Sequence, residues 1–239
     1  MDSCDEDRHF TLTVPRLALR EPMLLNSILA LASRYDALRR SVPPDLEAIQ
    51  YNQKSIEWLI ASFSKPPSTY GSELLAAVVM TRSYEECDFE ADISHLHLSG
   101  TKDLLAYDKV AQIASRGGLA EAACWVHLRQ AIYAYLVRRR PVDRHINAFQ
   151  NLAAFRRTDD SSYANQIVYH FARTLRLLFH SSRSKERLDT EDTWASLQTD
   201  IDGWFSNKPL SFSPVFASSP NGPQFPALVM LSSPPGNMI

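Results

Sequence analysis

The stretch GLAEAACWVHLRQAIYAYLVRRRP, residues 118–141, decides the fold. Ala122, Trp125, Val126, Arg129, Ile132, Tyr133 and Leu136 recur at steps of three and four, which places them on one face of an α-helix. Gly117 and Gly118 open the segment, and Arg138, Arg139 and Arg140 fill its last turn. Pro141 ends it, having no N–H to continue the ladder. The closing cations complement the negative end of the helix dipole. The pattern predicts a helix over residues 118–140 at the centre of the fold, with Trp125 and two tyrosines among its bulky side chains.

The same periodicity continues to either side. Pro22 opens a helix to about Leu38, since proline is favoured in a first turn. Pro43-Pro44-Asp45 begins a second, with Ile49, Ile56, Leu59, Ile60 and Phe63 on its apolar side. A third spans about Gly71 to Glu86, turning Leu74, Leu75, Val78, Val79 and Arg82 inward. A fourth holds Ile93, Leu96, Leu98, Leu104 and Leu105, with Gly100 in its middle as the mark of a close helix contact. Beyond the central segment, Asp159-Asp160-Ser161-Ser162 offers N-caps to a helix reaching about His180, with Ile167, Val168, Phe171, Leu175 and Leu178 on one side. Trp194, Leu197, Ile201 and Trp204 mark one more, over about Asp189–Phe205. No sustained period-two alternation bounded by hairpin turns occurs. The expected fold class is all-α: a multi-helix bundle with a Pro/Ser-rich, loop-like C-terminal segment. Residues 1–9 read as a disordered acidic tail, 10–205 as the helical domain and 206–239 as the C-terminal segment, which holds seven of the 14 prolines.

Composition narrows the classes. Among 239 residues, 45% are hydrophobic and 22% charged, enough for a sizeable core. A net charge of -2 supplies no global basic field for nucleic acid or an anionic membrane. Cys4, Cys87 and Cys124 are sparse and odd in number, which fits a reducing compartment better than a disulfide framework. No apolar run approaches the ~20 residues that span a bilayer. A nuclear or cytosolic setting is expected, with no membrane partner.

Familiar catalytic signatures are missing: there is no phosphate loop, nucleophile elbow, zincin pair or dinucleotide fingerprint. His95 and His97 stand at i and i+2, so their rings diverge on a helix. Glu121, Cys124 and His127 share one flank of the central helix, but three donors are one short of a closed zinc site. They read as a core cysteine beside surface Glu and His, and no metal or cofactor is expected. Glu85 and Glu86 read as solvated helix-end acids. Arg129 falls on the apolar side of its helix, so it needs a carboxylate or carbonyls. Glu85 or Glu86 is the expected partner, and a ligand role for Arg129 is the alternative.

Several segments together resemble one family. Phe10, Val14-Pro15, Leu17-Ala18, Pro22, Leu24-Leu25 and Ile28-Leu29-Ala30-Leu31-Ala32 resemble the opening of the fungal-specific transcription factor domain, the C-terminal regulatory region of fungal binuclear zinc-cluster activators. Tyr51, Ser55-Ile56, Leu59, Leu74-Leu75-Ala76-Ala77, Tyr84-Glu85 and His97-Leu98-Ser99-Gly100 continue it. Ala122 through Gln130, Ile132-Tyr133, Trp194, Leu197, Trp204, Lys208-Pro209, Phe212-Ser213-Pro214 and Phe225-Pro226 follow in order. The resemblance implies an all-helical regulatory domain in a nuclear transcription regulator. The family's six-cysteine zinc cluster has no counterpart here, since Cys4 stands alone, so no direct contact with nucleic acid is expected. The chain ends in Ser-Ser-Pro-Pro-Gly-Asn-Met-Ile where the family usually continues in helices, so a shortened regulator is expected. Its partners would be an intact zinc-cluster regulator and a small-molecule effector. The alternative is a secondary-metabolism enzyme that reuses the helical scaffold as a pocket for a pericyclic or dehydrative step. Arg129, Tyr133, His97 and Glu85 are the candidate ligand-binding residues on that reading.

Overall fold

The computed structural model describes residues 1–42, 46–87, 107–142, 144–179 and 193–213. Among them the fold is all-α, with no strand. The helices, in chain order, are α1 (His9–Leu12), α2 (Val14–Ala18), α3 (Pro22–Arg39), α4 (Leu46–Phe63), α5 (Ser72–Glu86), α6 (Asp108–Ser115), α7 (Gly118–Arg138), α8 (Asp160–Phe179) and α9 (Trp194–Asn207). Short 3-10 turns at Arg144–Asn151 and Ala153–Phe155 link α7 to α8. The helix expected around Ile93–Leu105, with His95, His97 and Gly100, lies outside the described residues.

The three helices α3, α4 and α5 pack on one another, and α5 leans on α7. Small residues let the first three approach closely. Ser27, Ser55 and Thr81, all buried, meet at their junction. The Ser27 and Ser55 hydroxyls are 2.7 Å apart, Ser55 and Thr81 3.0 Å, and Ser27 also donates to the Met23 carbonyl at 2.9 Å. Each hydroxyl therefore keeps a partner after leaving water. This seam rotates α4 away from the expected face. Ala48, Ser55 and Leu59 point inward, whereas Ile60 is 62% exposed and Ile49 is also exposed. Close approach through small side chains here outweighed the burial of bulkier ones.

The α7 helix is central, as its composition predicts. It touches α1, α5, α6 and α8. Every residue from Leu119 to Val126 is buried, so this half is enclosed all round rather than along one stripe. Trp125 packs against Phe149 at 5.2 Å between ring centroids. The final turns are open: Tyr133 is 64% exposed and Leu136 is exposed as well, against the expected stripe. The helix stops at Arg138, two residues before the expected end. Arg139 takes a left-handed conformation (φ 51°), its N–H reaching the Leu136 carbonyl and that of Arg140 the Tyr135 carbonyl. These two bonds form a Schellman closure, built without the usual glycine.

Residues 1–8 turn back on the body. The Asp2 carboxylate accepts the N–H groups of Phe10 and Thr11, both at 2.9 Å, and Asp5 accepts that of His9 at 2.8 Å. Acids thus satisfy the orphan donors at the start of α1. Asn165 of α8 donates to the Cys4 carbonyl at 3.1 Å. At the other end, Phe212 is buried against Tyr163 and Trp204. No described helix is long and apolar enough to cross a membrane.

Candidate functional site

Asp159 caps α8, accepting the Ser162 N–H at 2.8 Å, and so fixes the helix's start. From there Tyr163, Gln166, His170 and Arg173 follow at steps of three, four and three along one face. In α9, entered through a Thr193–Ser196 capping box, Asp200, Gly203, Trp204 and Asn207 share another face. The two faces, with Gln150 and Phe155, border a groove of about 400 Å³. Gly203 leaves room at the mouth: a Cβ there would meet nothing within 4 Å.

The walls mix aromatic rings (Phe155, Tyr163, Tyr169 and Trp204) with polar and charged side chains. Phe155 and Tyr169 meet edge to face at 5.2 Å, and Tyr163 and Trp204 lie 6.5 Å apart. Most polar groups hold one another. Trp204 Nε1 donates to the Tyr163 carbonyl at 3.0 Å, tying α9 to α8, and Gln166 donates to the Ala154 carbonyl at 2.8 Å. The Arg173 guanidinium, buried, donates to Asp200 at 2.5 Å and lies over the Tyr169 ring, 5.7 Å from its centroid. Asp200 keeps 47% of its side chain exposed at the rim.

His170 differs. It is only 7% exposed, and its Nδ1 has no hydrogen-bond partner. Burial, helped by the Arg173 charge and opposed by Asp200, pushes its imidazole down to about 4. The ring is neutral at pH 7. The Nδ1 atom is itself fully buried, so the groove presents a ligand with aromatic edges and polar side chains but not with that nitrogen. The groove's size falls within the range of small-molecule sites.

A second, smaller cleft of about 80 Å³ lies under the N-terminal turns, between Asp5, Asp7, His9, Glu121 and Arg157. Candidate cation-ligand atoms of Asp5, Asp7 and His9 lie within 4.8 Å of one another. The Asp5 carboxylate is already engaged, 2.9 Å from His9 Nδ1.

The residues singled out from sequence are dispersed. Arg129 donates to Asn165 at 2.5 Å and to the Trp125 carbonyl at 3.1 Å, not to Glu85 or Glu86. The reason is that α8 flanks this side of α7. Glu86 instead takes Arg82, one turn earlier on α5, at 2.9 Å. Tyr133 faces outward, Glu85 is half-buried on the last turn of α5, and His97 lies outside the described residues. Neither cavity is lined by Arg129, Tyr133 or Glu85. Glu121, expected at the surface, is 5% exposed. Its Oε1 accepts the Ala154 N–H at 2.7 Å and the Trp125 indole at 3.3 Å, and Arg157 approaches Oε2 at 3.7 Å. Burial, with Glu121 nearby, pushes the Cys124 thiol up to about 12, which keeps it an inert core thiol.

His170, Arg173 and Asp200 escaped the sequence reading. The apolar stripe expected on α8 is partly outside, with Phe171 and Leu178 exposed, while Asn165, His170, Arg173 and Arg176 are buried. The available signal was charge without a local partner: Arg173 has no acid at i±3 or i±4. Comparisons with protein-family models, with curated proteins and with solved structures returned no match.

Proposed function

We propose that this chain is a regulatory and interaction domain of the kind found in fungal zinc-cluster transcription regulators. On this reading it works in the nucleus without catalysis, through protein partners such as an intact zinc-cluster regulator, and under the control of a small-molecule effector. Two supports are independent. One is the ordered set of family-like segments, many of which fall on buried positions: Leu74 to Ala77, Ala122 to Val126 and Leu197. The other, which carries the functional part, is the seating of α9. Among the described helices α9 makes its main packing with α8, and the groove is the seam between them. A molecule bound there touches both, so its binding energy bears directly on where α9 sits. A sensor needs a binding site shared between a fixed body and an element able to move.

The test is a tethering assay. The chain, joined to an unrelated DNA-binding domain, should change a reporter's output severalfold in fungal cells, and a fluorescent fusion should accumulate in the nucleus. A stably expressed fusion that leaves the reporter unchanged and is excluded from the nucleus would refute the reading.

A further inference from the structure

We infer that α4 pairs, antiparallel, with α4 of a second copy of this chain, through the apolar stripe that the Ser27–Ser55–Thr81 seam turns outward. Such a pair needs no effector and stands apart from the regulatory reading. Leu46, Ile49, Gln53, Ile56, Ile60 and Phe63 follow one another at steps of three and four, so they line up along one side of the helix. This is the seven-residue spacing by which one helix seats against another. Leu46, Ile49, Gln53 and Ile60 are exposed, while Ile56 and Phe63 are partly buried at the stripe's inner border. The helix meets the rest of the fold through a different set, Ala48, Ser55 and Leu59. The stripe runs the 18-residue length of α4, about 27 Å at 1.5 Å per residue. Single exposed leucines are ordinary on a protein surface, but an exposed stripe at helix-packing spacing marks a face that a partner covers.

Two features identify that partner as the same helix. The stripe is symmetric about its own middle: Leu46 and Phe63, Ile49 and Ile60, and Gln53 and Ile56 lie at equal distances from the point between Lys54 and Ser55. Turned end to end by a two-fold axis through that point, Ile49 meets Ile60, Leu46 meets Phe63 and Gln53 meets Ile56, each contact made twice. A two-fold interface requires this self-complementarity. The charges then select the antiparallel sense. Glu47 lies in the first turn and Lys65 just beyond the last, both exposed. Antiparallel pairing sets acid towards base and opposes the two helix dipoles, whereas parallel pairing sets like beside like. Glu57, exposed on the flank, comes next to Gln50 of the second copy, a hydrogen-bond donor rather than another carboxylate. Gln53 interrupts the apolar layers, which lowers affinity and fixes the register, so dissociation falls in the micromolar range.

Sedimentation equilibrium of the full chain should show monomer and dimer exchanging with concentration. Ile60→Glu sets a carboxylate against Ile49 of the second copy and should weaken the dimer roughly tenfold or more. Gln53→Leu should tighten it roughly tenfold, since apolar surface is buried in place of the amide. Trp58→Glu, exposed on the opposite flank of the buried seam, should leave it unchanged. Disulfide trapping in a Cys4→Ser, Cys87→Ser background reads the sense of the pair. Ile49→Cys chains should cross-link to Ile60→Cys chains and not to one another. Positions 49 and 60 of one helix are about 16 Å apart along its axis, and a disulfide needs Cβ atoms about 4 Å apart. A monomer at every concentration, a dimer indifferent to Ile60→Glu, an equal loss in Trp58→Glu, or self-cross-linking of Ile49→Cys would each overturn the inference. If Ile60→Glu does not fold, Gln53→Leu and the cross-linking pair decide: no tightening together with no mixed disulfide refutes the pairing.

Discussion

Replacing Glu121 by alanine should lower stability by about 3–4 kcal/mol, a large loss for a single side chain. The carboxylate is buried in the middle of the fold, where α7 meets the turn before α8. Its Oε1 accepts the buried Ala154 N–H at 2.7 Å and the Trp125 indole N–H at 3.3 Å. Hydrogen bonds to a charged group contribute about 1.5–3 kcal/mol each, and the longer bond belongs at the weak end. Truncation also strands the Ala154 N–H away from water, which holds the total near the upper part of that sum. Arg157, half-exposed at 3.7 Å, adds little. Glu121→Gln keeps an oxygen acceptor in place and removes only the charge, so it should cost about 1–2 kcal/mol. Urea unfolding followed by tryptophan fluorescence measures both, and the alanine variant should melt roughly 6–16 °C lower. Equal losses for alanine and glutamine would mean that the acceptor geometry is irrelevant. A loss below about 1 kcal/mol for alanine would mean that solvent reaches the site.

Arg139→Gly should raise stability by about 1 kcal/mol, because a left-handed residue closes α7 and glycine adopts that conformation without strain; a lowered urea midpoint would count against it. His127 and His170 are both pushed down to about 4, His127 by burial and then by Arg82, against 6.5 when unfolded. Their folded values are depressed, so the unfolded chain binds the extra protons. Stability should be full above about 6.5 and fall towards pH 4 by up to ~1.4 kcal/mol per pH unit for each ring. Urea midpoints across that range, with His127→Asn and His170→Leu flattening the slope, check it. Asp200→Ala should speed amide exchange in α9 about tenfold and leave α7 unchanged, because it cuts an ion pair across the seam. Ser55→Leu should destabilise by about 2–3 kcal/mol through overpacking and Ser55→Ala by only about 1, as read from thermal melts.

Local chemistry carried much of this protein. Helix identity is written in the three- and four-residue spacing, in Pro22 at a first turn, in Asp159 as a cap and in Trp125 at the centre of α7, because those preferences act within a turn or two of chain. Which side of each helix is buried was another matter. On α4, Ser55 lies inside and Ile60 outside; on α8, His170 and Arg173 lie inside and Phe171 outside. Burying Ser55 and Arg173 is offset by distant partners, Thr81 for Ser55 and Asp200 for Arg173. Those partners are 26 and 27 residues away along the chain. The α8/α9 groove was invisible for the same reason, being made of two faces that only the packing of α9 on α8 brings together. Spacing along the chain determined that this protein is helical and that residues 118–138 lie at its centre. Packing alone decided which faces close and where a cavity remains, because burial depends on partners that local sequence does not specify.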